Sequence, residues 1–278
     1  MSRGQTPALR PNPWISSSRR TLCGPQLDYP EGVSTATISE AAAQFEQNGY
    51  VILDRVFSEE EIAPVSGEID RLIAGESTYV PDRDLVWEPD SNPPRLRNAF
   101  RLHLYNEFFL EFAKSAKMTG VLKELLGHPL RLYGSQLFAK PARVGTLVPK
   151  HQDMPYWPFD PPELITAWIA LDDTSIENGC VRFFAGSHKL GVLPHAPSNV
   201  KGNSLGLVDH PAVNALPEHA IEVKRGSVVL HHALTVHHSQ PNQSDRSRRG
   251  LVYVYMSPNV KLVQPEKMQG PAVFPELD

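Results

Sequence analysis

Apolar and polar residues in the first half of the chain alternate with the period of an α-helix. Two segments begin with the capping-box pattern Ser/Thr-x-x-Glu, which satisfies free backbone amides at a helix start, at Thr37-x-x-Glu40 and Ser58-x-x-Glu61. Apolar residues follow each box three or four positions apart, and Gly49 and Gly75 end the two patterns. The run Tyr50-Val-Ile-Leu53 predicts a short strand between them. Two further helices are marked by Phe108, Phe109 and Phe112 and by Val121, Leu122 and Leu125, with Gly127 after the second.

Beyond residue 130 the pattern changes to short apolar runs separated by turn residues. Such runs, with almost no helical period, predict a β-sandwich or jelly roll, so we expect a mainly β fold with flanking helices. The polar, proline-containing connection 76–101 is of the kind that is either functional or disordered. The predicted strands are Arg131–Lys140, Leu164–Leu171, Cys180–Phe184, Ala220–Val223, Ser227–His231 and Gly250–Met256.

We expect a flexible tail at 1–35 and one domain at 36–278. Within that domain the helical part covers 36–128 and the jelly-roll core 129–260. Residues 1–24 hold four arginines, three consecutive serines and no acidic residue, a composition found in organelle transit peptides. Prolines at positions 7, 11 and 13 would interrupt the amphipathic helix of such a peptide, which favours a plain tail and a cytoplasmic protein.

Composition narrows the classes of partner. Hydrophobic residues make up 41% and charged residues 21% of the 278-residue chain, as in a globular protein, and a net charge of −4 gives no sign of a nucleic-acid surface. No stretch approaches the roughly 18 apolar residues of a membrane span. Cys23 and Cys180 lie far apart and are expected to be free thiols. The expected partner is therefore a small molecule, with no nucleic acid, membrane or obligate protein partner.

Two histidines and an aspartate form a candidate metal site. His151 and Asp153 are two positions apart, so on a strand both would point to the same face. With His237 they make a 2-His-1-carboxylate set, which suits Fe(II) and leaves coordination positions open. On its own, His-x-Asp also fits two solvated residues at a strand edge. His231 and His232 are alternatives to His237 as the metal ligand, whereas the side chain of His238 would point to the other face of the strand.

Six segments, in order, resemble the phytanoyl-CoA dioxygenase family of Fe(II)/2-oxoglutarate oxygenases. The resemblance implies a double-stranded β-helix (jelly-roll, cupin-like) core, Fe(II), 2-oxoglutarate and O₂, and hydroxylation of an unactivated C–H bond with release of succinate and CO₂. Desaturation, cyclisation, demethylation or acyl-CoA hydroxylation are alternative outcomes of the same machinery. The segments are Gly49-Tyr-Val-Ile-Leu53, His151-Gln-Asp-x-x-Tyr156-x-Pro158-Phe159-x-Pro161, Ala167-Trp168-x-Ala170, Asn178-Gly179-Cys180, Gly186-Ser187-His188-Lys189 and His237-x-Ser239-x-x-Asn242-x-Ser244.

The resemblance also implies residues that bind 2-oxoglutarate. The family's carboxylate-binding arginine lies eleven residues after the second metal histidine, at Arg248, and arginine suits a carboxylate because its guanidinium forms two parallel hydrogen bonds. A turn at 240–247 would bring Arg248 back beside the His237 strand. Arg246 and Arg249 are the competing positions. Further candidates for the co-substrate pocket are Ser239, Trp168, Thr166, Gln136 and Lys140.

Residues near the metal motif are candidates for the substrate site, and the loop 194–216 for a lid. One wall is predicted from Tyr156, Trp157 and Phe159, and a polar wall from Arg97, Asn98 and Arg101, next to Arg95. Three other functions stay open. A halogenase would need a small residue in place of Asp153, a non-catalytic cupin-like binder would lack a ligand or Arg248, and a structural zinc site would use cysteines.

Overall fold

The computed structural model of this protein describes residues 35–268 and 270–277, so the expectations for the N-terminal tail and Cys23 lie outside the described residues. The helices are α1 Thr35–Asn48, α2 Glu59–Ile73, α3 Leu102–Tyr105, α4 Glu107–Ala113, α5 Ala116–Leu126 and α6 Pro211–Asn214. The first eight strands are β1 Tyr50–Leu53, β2 Leu85–Trp87, β3 Leu96–Phe100, β4 Leu130–Lys140, β5 Val148–His151, β6 Phe159–Asp160, β7 Leu164–Ala170 and β8 Val181–Phe184. The other eight are β9 His195–Val200, β10 Asn203–Leu207, β11 Glu218–Ala220, β12 Val228–His232, β13 His237–Ser239, β14 Arg248–Met256, β15 Lys261–Leu262 and β16 Glu276–Leu277. In those described ranges no helix combines the length and apolarity needed to cross a membrane.

Two antiparallel sheets form the core, as the predicted jelly roll requires. The large sheet has eight strands in the order β1-β12-β7-β14-β4-β3-β2, with β16 also paired to β4. The small sheet has the order β11-β8-β13-β5. A hydrophobic cluster that includes Trp168 and Val252 of the large sheet and Phe183 of the small sheet fills the space between them.

Strand β14 shows how alternation divides the large sheet into two faces. Leu251, Tyr253 and Tyr255 pack in the cluster that contains the helices, whereas Val252 and Val254 belong to the cluster between the sheets. The Tyr253 hydroxyl donates to the carbonyl of Phe109 at 2.9 Å, so a fully buried phenol ties the sheet to α4. The helices therefore cover the outer face of the large sheet and leave its inner face for a cavity.

Several predicted elements differ from the structure in their boundaries. The Ser58 box is confirmed, because the Ser58 amide donates to Glu61 Oε2 at 2.8 Å, but α1 begins at Thr35 rather than at a Thr37 cap. The 76–101 connection, expected to be functional or disordered, is ordered and contains two strands that were not predicted, since β2 and β3 form a hairpin there and β3 pairs with β4. The strand expected at 220–223 lies earlier, at Glu218–Ala220, where it pairs with β8.

Gly250 gives a test of the packing between β14 and β7. A Cβ atom at this position would lie 2.2–2.4 Å from three ring atoms of the buried Trp168. We predict that Gly250→Ala lowers the free energy of unfolding by about 1–3 kcal/mol, the usual cost of overpacking. Gly134→Ala in the neighbouring strand β4 is the matched control, because nothing lies within 4 Å of its Cβ position. Urea unfolding measures both, and equal stabilities for the two variants would contradict the packing argument.

Candidate functional site

The three candidate metal ligands meet at one end of the small sheet. His151 ends β5 and lies directly opposite His237 of β13, so strand pairing brings the two imidazoles together with ring centroids 4.2 Å apart. Asp153 Oδ1 lies 3.6 Å from His151 Nε2 and 3.7 Å from His237 Nε2. Asp153 follows the strand instead of continuing it, with the helical backbone angles φ −73 and ψ −37. The two side chains do approach each other, but the expected reason was wrong. A turn after β5, and not the i, i+2 spacing along a strand, directs the Asp153 carboxylate towards His151.

Backbone carbonyls fix the tautomers of the two histidines. Nδ1 of His151 donates to the Pro149 carbonyl at 2.8 Å, and Nδ1 of His237 donates to the Thr235 carbonyl at 3.0 Å. A carbonyl only accepts, so the proton of each neutral ring is on Nδ1 and the Nε2 lone pair faces Asp153. Metal-binding histidines are commonly oriented by this kind of outer hydrogen bond.

The protonation states of the cluster also suit a divalent metal. Burial lowers the pKa of His151, and lowers that of His237 well below its usual range, so both rings are neutral at pH 7. Burial alone would raise the pKa of Asp153, but the charge interaction with His237 and the hydrogen bond from His231 outweigh it and hold the pKa below its usual range. The ligand atoms lie within 4.8 Å of one another. Two neutral imidazoles and a carboxylate on this spacing fit a ferrous ion.

Two residues of the large sheet contact the other oxygen of Asp153. Thr166 Oγ1 donates to Asp153 Oδ2 at 2.8 Å, and His231 Nε2 lies 3.0 Å from the same atom. His231 thus contacts the carboxylate and is not one of the three clustered ligands. His238 turns away, as expected, and its Nε2 lies 3.2 Å from Glu218 Oε1. The ring of His232, the other alternative, lies 5.7 Å from that of His188.

Gln152, which the sequence reasoning passed over, holds the metal loop in place. Its amide donates at 2.8 Å to the carbonyls of Gly191 and Leu234 and its oxygen accepts from the Leu193 amide at 2.8 Å. Its own backbone amide donates to His195 Nε2 at 3.0 Å. The sequence offered one signal for this role, the position of Gln152 between two ligands, which points its side chain away from them into the protein. A fully buried amide there needs several hydrogen-bond partners.

Arg248 lies on the opposite wall of the cavity that contains the triad. It starts β14 in the large sheet, whereas His237 is in the small sheet, so the expected return of Arg248 beside the His237 strand was wrong. Arg248 Nη2 donates to the Gly179 carbonyl at 2.9 Å, but its Nε has no partner among the described residues. None of the ion pairs in the described chain includes Arg248. Burial lowers its pKa to about 10, so it is still cationic at neutral pH.

A buried cation without a carboxylate partner is energetically costly unless a ligand supplies the carboxylate. The surroundings of Arg248 suit the binding of such a ligand. Arg246 is exposed, and Arg249 pairs with Asp172 at 2.7 Å, so neither competitor faces the cavity. Lys140 donates to the Thr146 carbonyl outside the cavity lining, and burial lowers its pKa well below its usual range. The other predicted co-substrate residues line the same cavity as Arg248: Ser239, Trp168, Thr166 and Gln136.

A second cavity, of about 340 Å³, adjoins the triad at His151 and Asp153. Tyr156, Trp157 and Arg101 of the predicted substrate residues line it. The other three are packed elsewhere: Phe159 lies against Tyr133, Arg97 pairs with Glu88, and the Asn98 amide donates to the Leu137 carbonyl.

The predicted lid is a β-hairpin, β9–β10, that forms one side of this second cavity. Tyr156 fastens it, because its hydroxyl donates to the Leu205 carbonyl at 2.8 Å and accepts from the Leu205 amide at 3.0 Å. Arg97 Nη2 also donates to Asn203 Oδ1 at 3.1 Å. The hairpin is thus a hydrogen-bonded wall, and Arg97 supports it from behind.

Comparisons with known proteins agree with this arrangement. The model of the phytanoyl-CoA dioxygenase (PhyH) family matches residues 45–250. A probable alpha-ketoglutarate-dependent hypophosphite dioxygenase from Stutzerimonas stutzeri is 29% identical over 228 residues, 78% of each chain. The ectoine dioxygenase of Stutzerimonas stutzeri strain A1501 is 27% identical over 243 residues, 82% of this chain and 80% of that one.

A solved structure extends the likeness to the fold. The crystal structure of SnoN, a non-haem alpha-ketoglutarate-dependent epimerase from nogalamycin biosynthesis, aligns with a TM-score of 0.67 at 26% identity. The alignment covers 82% of this chain and 83% of SnoN. The chain thus shares a fold with enzymes that use alpha-ketoglutarate (2-oxoglutarate).

The triad geometry leads to a prediction about metal binding. We expect His237→Ala to weaken Co(II) binding to the apo-protein by more than the roughly 10- to 100-fold loss that follows mutation of an outer-shell partner. His128→Ala is the control, because His128 is exposed and belongs to none of the contacts described above. Calorimetric titration measures both. Wild-type affinity in His237→Ala together with lost affinity in His231→Ala would move the ligand assignment to His231.

Proposed function

The chain belongs to the phytanoyl-CoA dioxygenase family of Fe(II)- and 2-oxoglutarate-dependent oxygenases, and from that premise we propose how its residues divide the work. His151, Asp153 and His237 hold Fe(II), Arg248 and Ser239 bind the distal carboxylate of 2-oxoglutarate, and the second cavity takes the substrate. The reaction is R–H + 2-oxoglutarate + O₂ → R–OH + succinate + CO₂. The bound iron supplies O₂ activation coupled to decarboxylation of the co-substrate.

The proposal rests mainly on two groups of opposite charge that face the same cavity. The anionic Asp153 with two neutral histidines lies at one side, and the unpaired cationic Arg248 lies at the other. A dicarboxylate with a metal-binding end and a free carboxylate matches both. Trp168 helps to orient the arginine, since the guanidinium carbon lies 5.6 Å from the centre of its ring.

The same residues weigh against the three other functions. The Asp153 carboxylate is part of the cluster, which leaves no ligand position for the halide of a halogenase. The cluster contains no cysteine, unlike most structural zinc sites, and it lies in a cavity. A non-catalytic binder has no need for an unpaired Arg248 facing the metal ligands. Oxygen insertion into a substrate is the function that uses every group.

The second cavity favours an uncharged, ring-containing substrate. Its wall carries the aromatic side chains of Phe100, Tyr133, Phe138, Tyr156 and Trp157. Burial raises the pKa of Tyr133 to about 12, so its phenol is neutral. The charge of Arg101 is balanced, because its Nε donates at 2.8 Å to Oδ2 of the buried Asp84. Apart from the proposed metal ligands, the wall therefore offers aromatic faces and neutral polar groups to a substrate.

This charge balance separates substrate classes that the family pattern leaves open. An acyl-CoA carries phosphates that need unpaired cations, and an amino-acid-like zwitterion needs two opposite charges within the cavity. Among the residues that the structure describes, Arg101, already paired with Asp84, is the only lysine or arginine in the wall. A polyketide-like or terpenoid-like ring system matches the wall without leaving a buried charge unpaired.

Arg248 provides a test of the co-substrate assignment. Removing a buried partner of a charged pair costs on the order of 2–5 kcal/mol. We therefore predict that Arg248→Ala weakens 2-oxoglutarate binding by roughly tens- to thousands-fold while iron binding changes little. Anaerobic titration of the charge-transfer band of the Fe(II)–2-oxoglutarate complex measures it, with the exposed Arg246 changed to alanine as control. Normal binding in Arg248→Ala with a large loss in Arg246→Ala would reassign the carboxylate site.

Trp157 provides a test of the substrate class. We expect neutral polycyclic ring compounds to perturb that charge-transfer band, and a fatty acyl-CoA or free amino acid to leave it unchanged. An aromatic contact is worth about 0.5–1.5 kcal/mol, so Trp157→Ala should weaken the binding of the ring compound by roughly two- to tenfold. Trp87→Ala is the control, because Trp87 is exposed on β2 outside the cavity. Coupled succinate release and a product heavier by one oxygen identify a substrate, and turnover of an acyl-CoA instead would refute the proposed class.

A further inference from the structure

We infer that His231 is a positioning residue that leaves Asp153 only one oxygen for the metal. The inference rests on the metal-binding role proposed for Asp153. His231 is one of two donors to the oxygen of Asp153 that does not face the histidine ligands, and it comes from the opposite sheet.

The two oxygens of Asp153 have separate surroundings. Oδ1 lies 3.6 and 3.7 Å from the Nε2 atoms of His151 and His237. Oδ2 accepts from Thr166 Oγ1 at 2.8 Å and lies 3.0 Å from His231 Nε2. One oxygen is thus directed to the metal site and the other is fully occupied by the protein.

The hydrogen-bond partners of His231 determine its tautomer. A carboxylate oxygen only accepts, so His231 carries a proton on Nε2, the atom that faces Asp153. Its Nδ1 is buried without a hydrogen-bond partner among the described residues, and a bare lone pair is cheaper to bury unpaired than an N–H group. This tautomer is the reverse of that in His151 and His237, whose protons are on Nδ1. While His231 donates to Asp153, its Nε2 has no lone pair for a metal.

The large sheet holds both donors rigidly. His231 on β12 is directly opposite Thr166 on β7, so the two side chains emerge side by side on the inner face of the sheet. The ring of His231 is buried and packs against those of Phe183, at 5.0 Å, and His237, at 4.7 Å. This packing fixes the direction of the Nε2–H bond, as a positioning role requires.

The consequence is a carboxylate that does not rotate. A carboxylate with a free second oxygen chelates a metal through both oxygens or through one, depending on its surroundings. The bonds from His231 and Thr166 hold Oδ2 away from the histidines, so Asp153 binds through Oδ1 alone. Three ligand atoms then occupy three metal positions and leave the others to the co-substrate and O₂.

The test compares leucine, asparagine and glutamine at position 231. His231→Leu removes the donor, His231→Asn keeps an amide that is too short to reach Asp153, and His231→Gln places an amide near the original Nε2. We expect the leucine and asparagine variants to lose roughly 10- to 100-fold in Co(II) affinity, and the glutamine variant to recover to within about threefold of wild type. If the leucine variant does not fold, the comparison of asparagine with glutamine carries the test.

The Co(II) absorption spectrum adds a readout that a loss of packing alone does not change. The leucine and asparagine variants should show the weaker visible bands of a higher coordination number, and the glutamine variant the wild-type spectrum. Equal affinities and spectra for asparagine and glutamine, or a leucine variant like wild type, would overturn the role of His231. Asp153→Asn distinguishes this from failure of the proposed function: wild-type Co(II) affinity there would remove the ligand assignment itself.

Discussion

The largely buried carboxylate of Asp153 lies between the two sheets, and each of its oxygens faces residues of one of them. The small sheet contributes His151 and His237 through the pairing of β5 with β13. The large sheet contributes Thr166 and His231 through the pairing of β7 with β12. A charge in an apolar interior is tolerated only with partners: Thr166 and His231 donate to Oδ2, and the proposed metal would be the partner of Oδ1, so the approach of the two sheets is constrained at this point. The helices, the outer cavity wall and the hairpin are arranged around that contact.

The negative charge of Asp153 and the positive charge of Arg248 lie apart in the cavity, so a matching occupant must supply a cation to one and an anion to the other. Asp153 is neutralised only when a cation joins it, and Arg248 only when an anion does. Cys180 and Trp168 near Arg248 supply no compensating negative charge at neutral pH, since burial raises the pKa of the Cys180 thiol. One cavity therefore contains an anionic and a cationic group that do not neutralise each other. This arrangement is typical of a binding site rather than of a hydrophobic core.

The parts of the site that depend on local patterns could be predicted, and those that depend on distant contacts could not. The Ser58 box joins residues three positions apart, and the family pattern ties His151, His237 and Arg248 to neighbours close in sequence. Gln152 donates to a carbonyl 39 positions away, and Arg97 supports the hairpin through Asn203, 106 positions away, so no local pattern shows these roles. The hairpin of β2 and β3 was missed for the same reason, because proline and polar residues mask two short strands that are stabilised by pairing with β4.

Because Arg248 and the two histidine ligands lie on opposite sheets, the spacing between the sheets sets the distance between them. Facing sheets pack roughly 10 Å apart, and side-chain packing on both faces resists any change in that spacing. On the proposed assignment, the length of the keto diacid must match the span from the triad to Arg248. Selectivity for the co-substrate would then follow from the spacing of the two sheets, separately from the aromatic cavity proposed for the substrate.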